Sequence, residues 1–215
     1  FAPTHGTITV CALVLGISQS GQSPDIVAVV EEGRRQGALT VAVTNMPDSP
    51  LAQAAEHVLA LGAGEERAVA ATKTYTAQLA ALGLLAVHLA DDEARLRALQ
   101  RVPAAVQATL QLEEQIASAA QRYAHADECV VVGRGFNYAT AFEIALKLKE
   151  LTYMMAEPYS SADFRHGPVA IVEHGFPVIV VAPQGEVYDD IVALTRKLAD
   201  RDAELTVIAD QDAPL

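Results

Sequence analysis

Short runs rich in valine, isoleucine and leucine alternate along the whole chain with longer stretches of helical periodicity. This alternation constrains the fold more than any other feature. The apolar runs, bounded by turn residues, predict strands at 12–17, 39–44, 58–61, 128–133, 178–182 and 205–209. The stretches between them predict helices at 23–36, 50–56, 72–90, 92–99, 103–123, 138–153 and 186–200. Strands that alternate with helices imply parallel sheets covered on both faces, hence an α/β fold. The apolar content, 51% of 215 residues, suits such doubly covered sheets.

A weak internal repeat sharpens the expectation. The stretch 12–21 is echoed at 178–185, and each copy continues into a helix and then a run of the form LTVxx, at 39–43 and 205–209. Two tandem αβα subdomains follow, at 1–100 and 125–215, with 101–124 as a helical linker in which Pro103 starts a helix.

The first copy carries ISQSGQS at 17–23, between a strand and a helix. The free N–H groups of a first helical turn, and the helix dipole, favour an anion there. Ser18, Ser20 and Ser23 add hydroxyls and Gln19 an amide, while Ser23 and Pro24 suit the N-cap and first helical positions. No Lys or Arg lies between Phe1 and Glu32, so a phosphate would be held by dipoles rather than ion pairs. The Gly-Lys-Ser/Thr ending of a P-loop is absent. A phosphate loop and an ordinary capped strand–helix turn both fit the seven residues. The second copy lacks the serines, so only the first is expected to bind phosphate.

Three further clusters could carry chemistry. Glu143, Lys147 and Glu150 share one helical face, with Lys149 pointing elsewhere. They read either as a solvated ion-pair ladder or as a general base beside an ammonium that tunes it. His166, before Gly167-Pro168 and a sharp turn, reads as a structural histidine or a proton shuttle. Thr72 opens a long helix, as a cap or as a ligand contact. No metal-ligand spacing links the histidines, and Gly133-Arg134-Gly135 lacks the rest of a dinucleotide fingerprint.

The net charge of −12 disfavours nucleic acid and anionic membranes as partners. The apolar stretch 79–90 is too short to cross a bilayer, and no signal peptide is visible. Cys11 and Cys129 border predicted strands and read as buried thiols rather than a disulfide, which fits a cytoplasmic protein.

Taken in order, ISQSGQS, VAATKTYTAQL, GRGFNYATAFEIALKLKE and AEPYSSADFRHGP resemble the SIS (sugar isomerase) domain family across 12–210. Within it, the resemblance is to the isomerase half of glutamine–fructose-6-phosphate aminotransferases and to stand-alone glucosamine-6-phosphate deaminases. It implies two flavodoxin-like subdomains, a homodimer with a shared active site, and no metal or organic cofactor. It also implies that Ser18, Gln19, Ser20 and Ser23 bind a sugar phosphate and that Glu150 moves a proton between C1 and C2. Lys147 would hold substrate hydroxyls, and His166 of the partner subunit would assist ring opening.

Three departures bear on the reaction. Ala71 stands where the resembled aminotransferases have a substrate-binding serine, leaving the hydroxyl contact to Thr72. The family's first strand–helix unit would precede Phe1, and the tail with its Schiff-base lysine would follow Leu215, so both subdomains are expected to be truncated. No glutaminase domain is expected ahead of the chain, which favours deamination of glucosamine 6-phosphate to fructose 6-phosphate and leaves room for a separate glutaminase. The alternatives are a fructosamine deglycase, the isomerase part of a transaminase, or a sugar-phosphate-binding module without chemistry.

Overall fold

A computed structural model describes residues 12–68, 70–210 and 212–213. The chain divides into two compact units, Phe1–Gln111 and Leu112–Leu215, and the expected linker 101–124 runs across that division.

In the first unit, β1 (Leu13–Ile17), β2 (Leu39–Thr44) and β3 (His57–Ala60) form a parallel sheet in the order β1-β2-β3. The crossovers are α1 (Pro24–Arg35) and α2 (Pro50–Ala54). Central β2 is buried from Thr40 to Thr44, which is why its sequence is a continuous run rather than an alternating one. Val30 of α1, Ala42 of β2 and Leu51 of α2 form the core there. The helices α3 (Lys73–Leu89), α4 (Glu93–Leu99) and α5 (Val102–Leu110) complete this unit.

The second unit contains α6 (Glu113–Ala120) and a four-stranded parallel sheet of β4 (Glu128–Gly133), β5 (Met155–Ser160), β6 (Pro177–Ala182) and β7 (Glu204–Ala209). The sheet order is β5-β4-β6-β7. Numbered within the unit, that order is 2-1-3-4, as in flavodoxin-like folds. The helices are α7 (Asn137–Thr152), α8 (Ser161–Arg165) and α9 (Tyr188–Ala199). Strand alternation sends Val130 and Val132 of β4 into one core with Phe164, Ile191 and Leu194. It sends Cys129 and Val131 into another, with Ala141 and Ala145 of α7.

The repeat is visible as β1–α1–β2 and β6–α9–β7, each a pair of adjacent parallel strands joined by a helix. Cys129 is a buried free thiol, and burial pushes its pKa up to about 11; Cys11 lies outside the described residues.

Two expectations need correction. The helix predicted at 103–123 is divided into α5, α6 and a 3-10 turn at Gln121–Tyr123. Thr109 donates back to the Ala105 carbonyl, a bond that bends helices, and Glu113 and Glu114 suit the start of a new one. Strand β5, helix α8 and a 3-10 turn at Pro168–Ile171 were not predicted. Strand β5 carries Glu157 and Pro158, which an edge strand tolerates and a central one does not.

Candidate functional site

The serine loop leaves β1 and is fixed to the end of β2 from several directions. The Ser18 N–H donates to the Val43 carbonyl, and the Asn45 N–H and Thr44 hydroxyl both donate to the Gln19 carbonyl. The Leu51 N–H donates to the Gly21 carbonyl, and the Gly21 N–H to Ser18 Oγ at 3.1 Å. Gly21 has φ +62°, and a Cβ there would lie 2.1 Å from Ser49 Oγ, so only glycine lets the loop lie this close to α2.

Ser23 occupies the N-cap position of α1, before Pro24, but makes no side-chain capping bond. Its hydroxyl instead lies 3.3 Å from Ser18 Oγ. The first helical bond runs from the Val27 N–H to the Ser23 carbonyl, leaving the N–H groups of Asp25 and Ile26 ahead of it. Ser20 Oγ accepts the Gln22 N–H. The loop therefore presents hydroxyls and backbone donors, an arrangement suited to a phosphate.

Thr72 stands at the N-cap of α3, yet Glu66 does the capping. Glu66 Oε2 accepts from the Thr74 hydroxyl at 2.8 Å and from the N–H groups of Thr74 and Thr72 at 3.2 and 3.4 Å. The Thr74 hydroxyl bond holds the Glu66 pKa below the ordinary carboxylate value, with Thr74 N–H and Lys73 adding and burial opposing. Of the two readings of Thr72, the structure rules out capping: its exposed hydroxyl makes no capping bond.

In the second unit, β4 ends at Gly133, where a Cβ would lie 2.1 Å from the Asn137 carbonyl oxygen. This close approach lets α7 start directly beside the strand. The helix then carries Glu143, Lys147 and Glu150 on one face, as their spacing predicts. Lys147 Nζ donates to Glu150 Oε2 at 2.7 Å and lies 3.5 Å from Glu143 Oε1. The Glu150 hydrogen bond raises the Lys147 pKa above its ordinary value, both carboxylates adding by attraction and burial opposing. Lys149 turns away to Glu157 on β5, at 3.3 Å. The row offers a proton-accepting carboxylate with a fixed ammonium beside it. It lies toward the far end of α7 from the β4–β6 switch point, where ligands of doubly wound sheets usually bind.

His166 closes α8, its N–H donating to the Asp163 carbonyl at 3.1 Å, and it is exposed. Within its unit, no hydrogen bond among the described residues ties His166 to the α7 row. Glu66 was missed by the sequence reading, although an acidic side chain shortly before a helix start was a signal. Asp190, which binds both ends of α8, left no local signal because its partners are 25 and 29 residues away.

The SIS domain family model matches residues 5–88 and 122–214. Glutamine–fructose-6-phosphate aminotransferase (isomerizing) from Aquifex aeolicus is 38% identical over 190 residues, covering 88% of this chain and 32% of that protein. The structure of the C-terminal domain of glucosamine-fructose-6-phosphate aminotransferase from Francisella tularensis aligns with a TM-score of 0.90 at 28% identity. It covers 96% of this chain and 61% of that one. A putative phosphosugar isomerase from Silicibacter pomeroyi aligns with a TM-score of 0.86 at 36% identity, covering 96% and 62%. The chain thus spans about a third of the length of the curated relatives it matches.

Proposed function

The chain belongs to the SIS domain family, and from that premise we propose that it processes a hexose or amino-sugar 6-phosphate by aldose–ketose isomerisation. Glucosamine 6-phosphate and fructose 6-phosphate are the substrate pair. Ser18, Gln19, Ser20 and Ser23 hold the phosphate, and Thr72 offers its free hydroxyl to the sugar. Glu150 removes the C2 proton and returns it to C1, which converts the 2-amino aldose into a 2-imine. Water then replaces the nitrogen, releasing ammonia and leaving the ketose. Lys147 steadies the substrate hydroxyls. His166 of the partner subunit, in a homodimer, moves the proton that opens the sugar ring. The required groups are a carboxylate able to reach two adjacent carbons and an acid–base group at the ring oxygen.

The observation that carries this reading is the hydrogen bond of Lys147 to Glu150 on the helix face also bearing Glu143. A second reading is favoured by the aminotransferase relatives: the same isomerisation serving amination, with ammonia delivered by a glutaminase.

The test is ammonia release from glucosamine 6-phosphate without glutamine, by wild type and Glu150→Gln. Release by wild type and not by the variant supports the deaminase. Isomerisation of fructose 6-phosphate without ammonia release supports the second reading. Binding of either sugar without turnover contradicts both and leaves a binding module.

A further inference from the structure

Helix α8 is a single turn, and one turn of helix is not stable without tertiary support. Two of its supports fix its position. Phe164 is fully buried in the second unit's larger core, its ring centroid 5.1 Å from that of Tyr159. Ser160 Oγ accepts the Asp163 N–H at 3.2 Å and donates to the Asp163 carboxylate at 2.7 Å, capping the start of the turn.

The third support is Asp190, in the first turn of α9. Its carboxylate accepts the Ser161 hydroxyl through Oδ2 and an Arg165 guanidinium N–H through Oδ1. Its backbone carbonyl accepts a second N–H of the same guanidinium. Arg134, after β4, places Nε 3.9 Å from Oδ2. Asp190 therefore grips α8 at its first residue and its last, and the last is the residue before His166. The guanidinium is planar and doubly bonded, so its orientation is fixed as well as its position. Arg165 Nε is buried without a protein partner. An unpaired buried donor costs stability, so the fork holds its orientation against that cost.

We infer that Asp190 is a positioning residue for His166: through Ser161 and Arg165 it sets the direction in which the imidazole leaves α8. This rests on the proposed role of His166 in ring opening. Asp190 touches no reacting atom in that scheme and acts only through the α8 turn.

The experiment compares Asp190→Asn, Asp190→Ala and His166→Asn with wild type by two readouts. The first is backbone hydrogen exchange at residues 160–168 against that of β4 and β6. The second is isomerisation of fructose 6-phosphate against its 5-deoxy analogue, which lacks the hydroxyl that closes the ring and so stays open-chain. Both Asp190 variants are expected to lose protection at 160–168 and to keep it in the strands. Their kcat on the cyclic substrate is expected to fall by about 10²-fold, as for a catalytic group moved by about an ångström. The rate on the open-chain substrate is expected to hold, as it should for His166→Asn.

Unchanged protection at 160–168 overturns the inference, and so does an equal loss on both substrates. If His166→Asn spares ring opening, or wild type turns over neither sugar, the functional reading fails. Hydrogen exchange then still decides whether Asp190 anchors the turn.

Discussion

Helices α1 and α9 join the strands of equivalent strand–helix–strand units, yet the approaches to their first turns are equipped differently. Ahead of α1 stand three serines and a glycine in the left-handed region, and the Ser18 and Ser23 hydroxyls face each other. The first turn of α9 contains Asp189 and Asp190. A helix N-terminus attracts negative charge in either case. In α9 the chain supplies that charge itself, and the Asp190 carboxylate binds Ser161 and Arg165. The Ser161 hydroxyl bond lowers the Asp190 pKa most, with Arg165 and Arg134 adding and burial opposing. Helix α1 carries a single acidic residue in its first turn, Asp25, and on the proposed reading the serine loop ahead of it takes an external phosphate. On the proposed reading, one supersecondary unit serves ligand binding in the first copy, while in the second Asp190 braces α8.

The glycine within the loop after β1 and the one that ends β4 offer the strongest way to break this contrast. Gly21→Ala puts a Cβ against the Ser49 side chain with φ at +62°, and Gly133→Ala puts one against the backbone of α7. Each is expected to cost about 1–3 kcal/mol, from backbone strain at Gly21 and from steric overlap at Gly133, read as a shift in the urea midpoint. Their functional signatures should differ. Gly21→Ala should abolish sugar-phosphate binding, whereas Gly133→Ala should displace α7 and lower turnover while binding survives. Loss of binding in both would deny the division of labour.

A smaller effect separates Glu66 from Thr72. Glu66→Ala removes the acceptor for three donors at the start of α3, so its melting temperature should fall. Thr72→Ala should leave the melting temperature unchanged and weaken only ligand binding. A lower melting temperature in Thr72→Ala would restore that hydroxyl to a capping role.

A further effect, confined to alkaline pH, concerns Cys129. Its folded pKa lies above that of the unfolded thiol, so its contribution to stability is complete below about pH 9 and is lost toward pH 11. Wild type should therefore lose more stability across that interval than Cys129→Ala, as measured by urea unfolding at each pH. Equal losses would mean that the thiol is not buried as described.

How much of this was legible in the sequence varies with where each residue's partners lie. Strands β2 and β4 match their predicted bounds because burial on both faces leaves only apolar residues or threonine over most of their length. Strand β5, at a sheet edge, keeps a glutamate and a proline and so looks like a loop. The contacts of Lys147 were legible because both carboxylates lie within one turn of helix. Ser23 and Thr72 were placed correctly at helix starts, but their hydroxyls do not cap. Ser23 faces Ser18, and Glu66 bonds the first turn of α3 in place of Thr72. Asp190 and Arg165 pair across 25 residues, a distance over which periodicity carries no information.

Calorimetric titration of glucosamine 6-phosphate into Ser18→Ala/Ser20→Ala and into Glu150→Gln, with turnover assayed on the same samples, tests the central claim most directly. The serine variant is expected to lose binding and turnover together, whereas Glu150→Gln should bind as wild type does and turn over nothing. Undiminished binding by the serine variant, or undiminished turnover by Glu150→Gln, would contradict the assignment of binding to the first unit and proton transfer to the second.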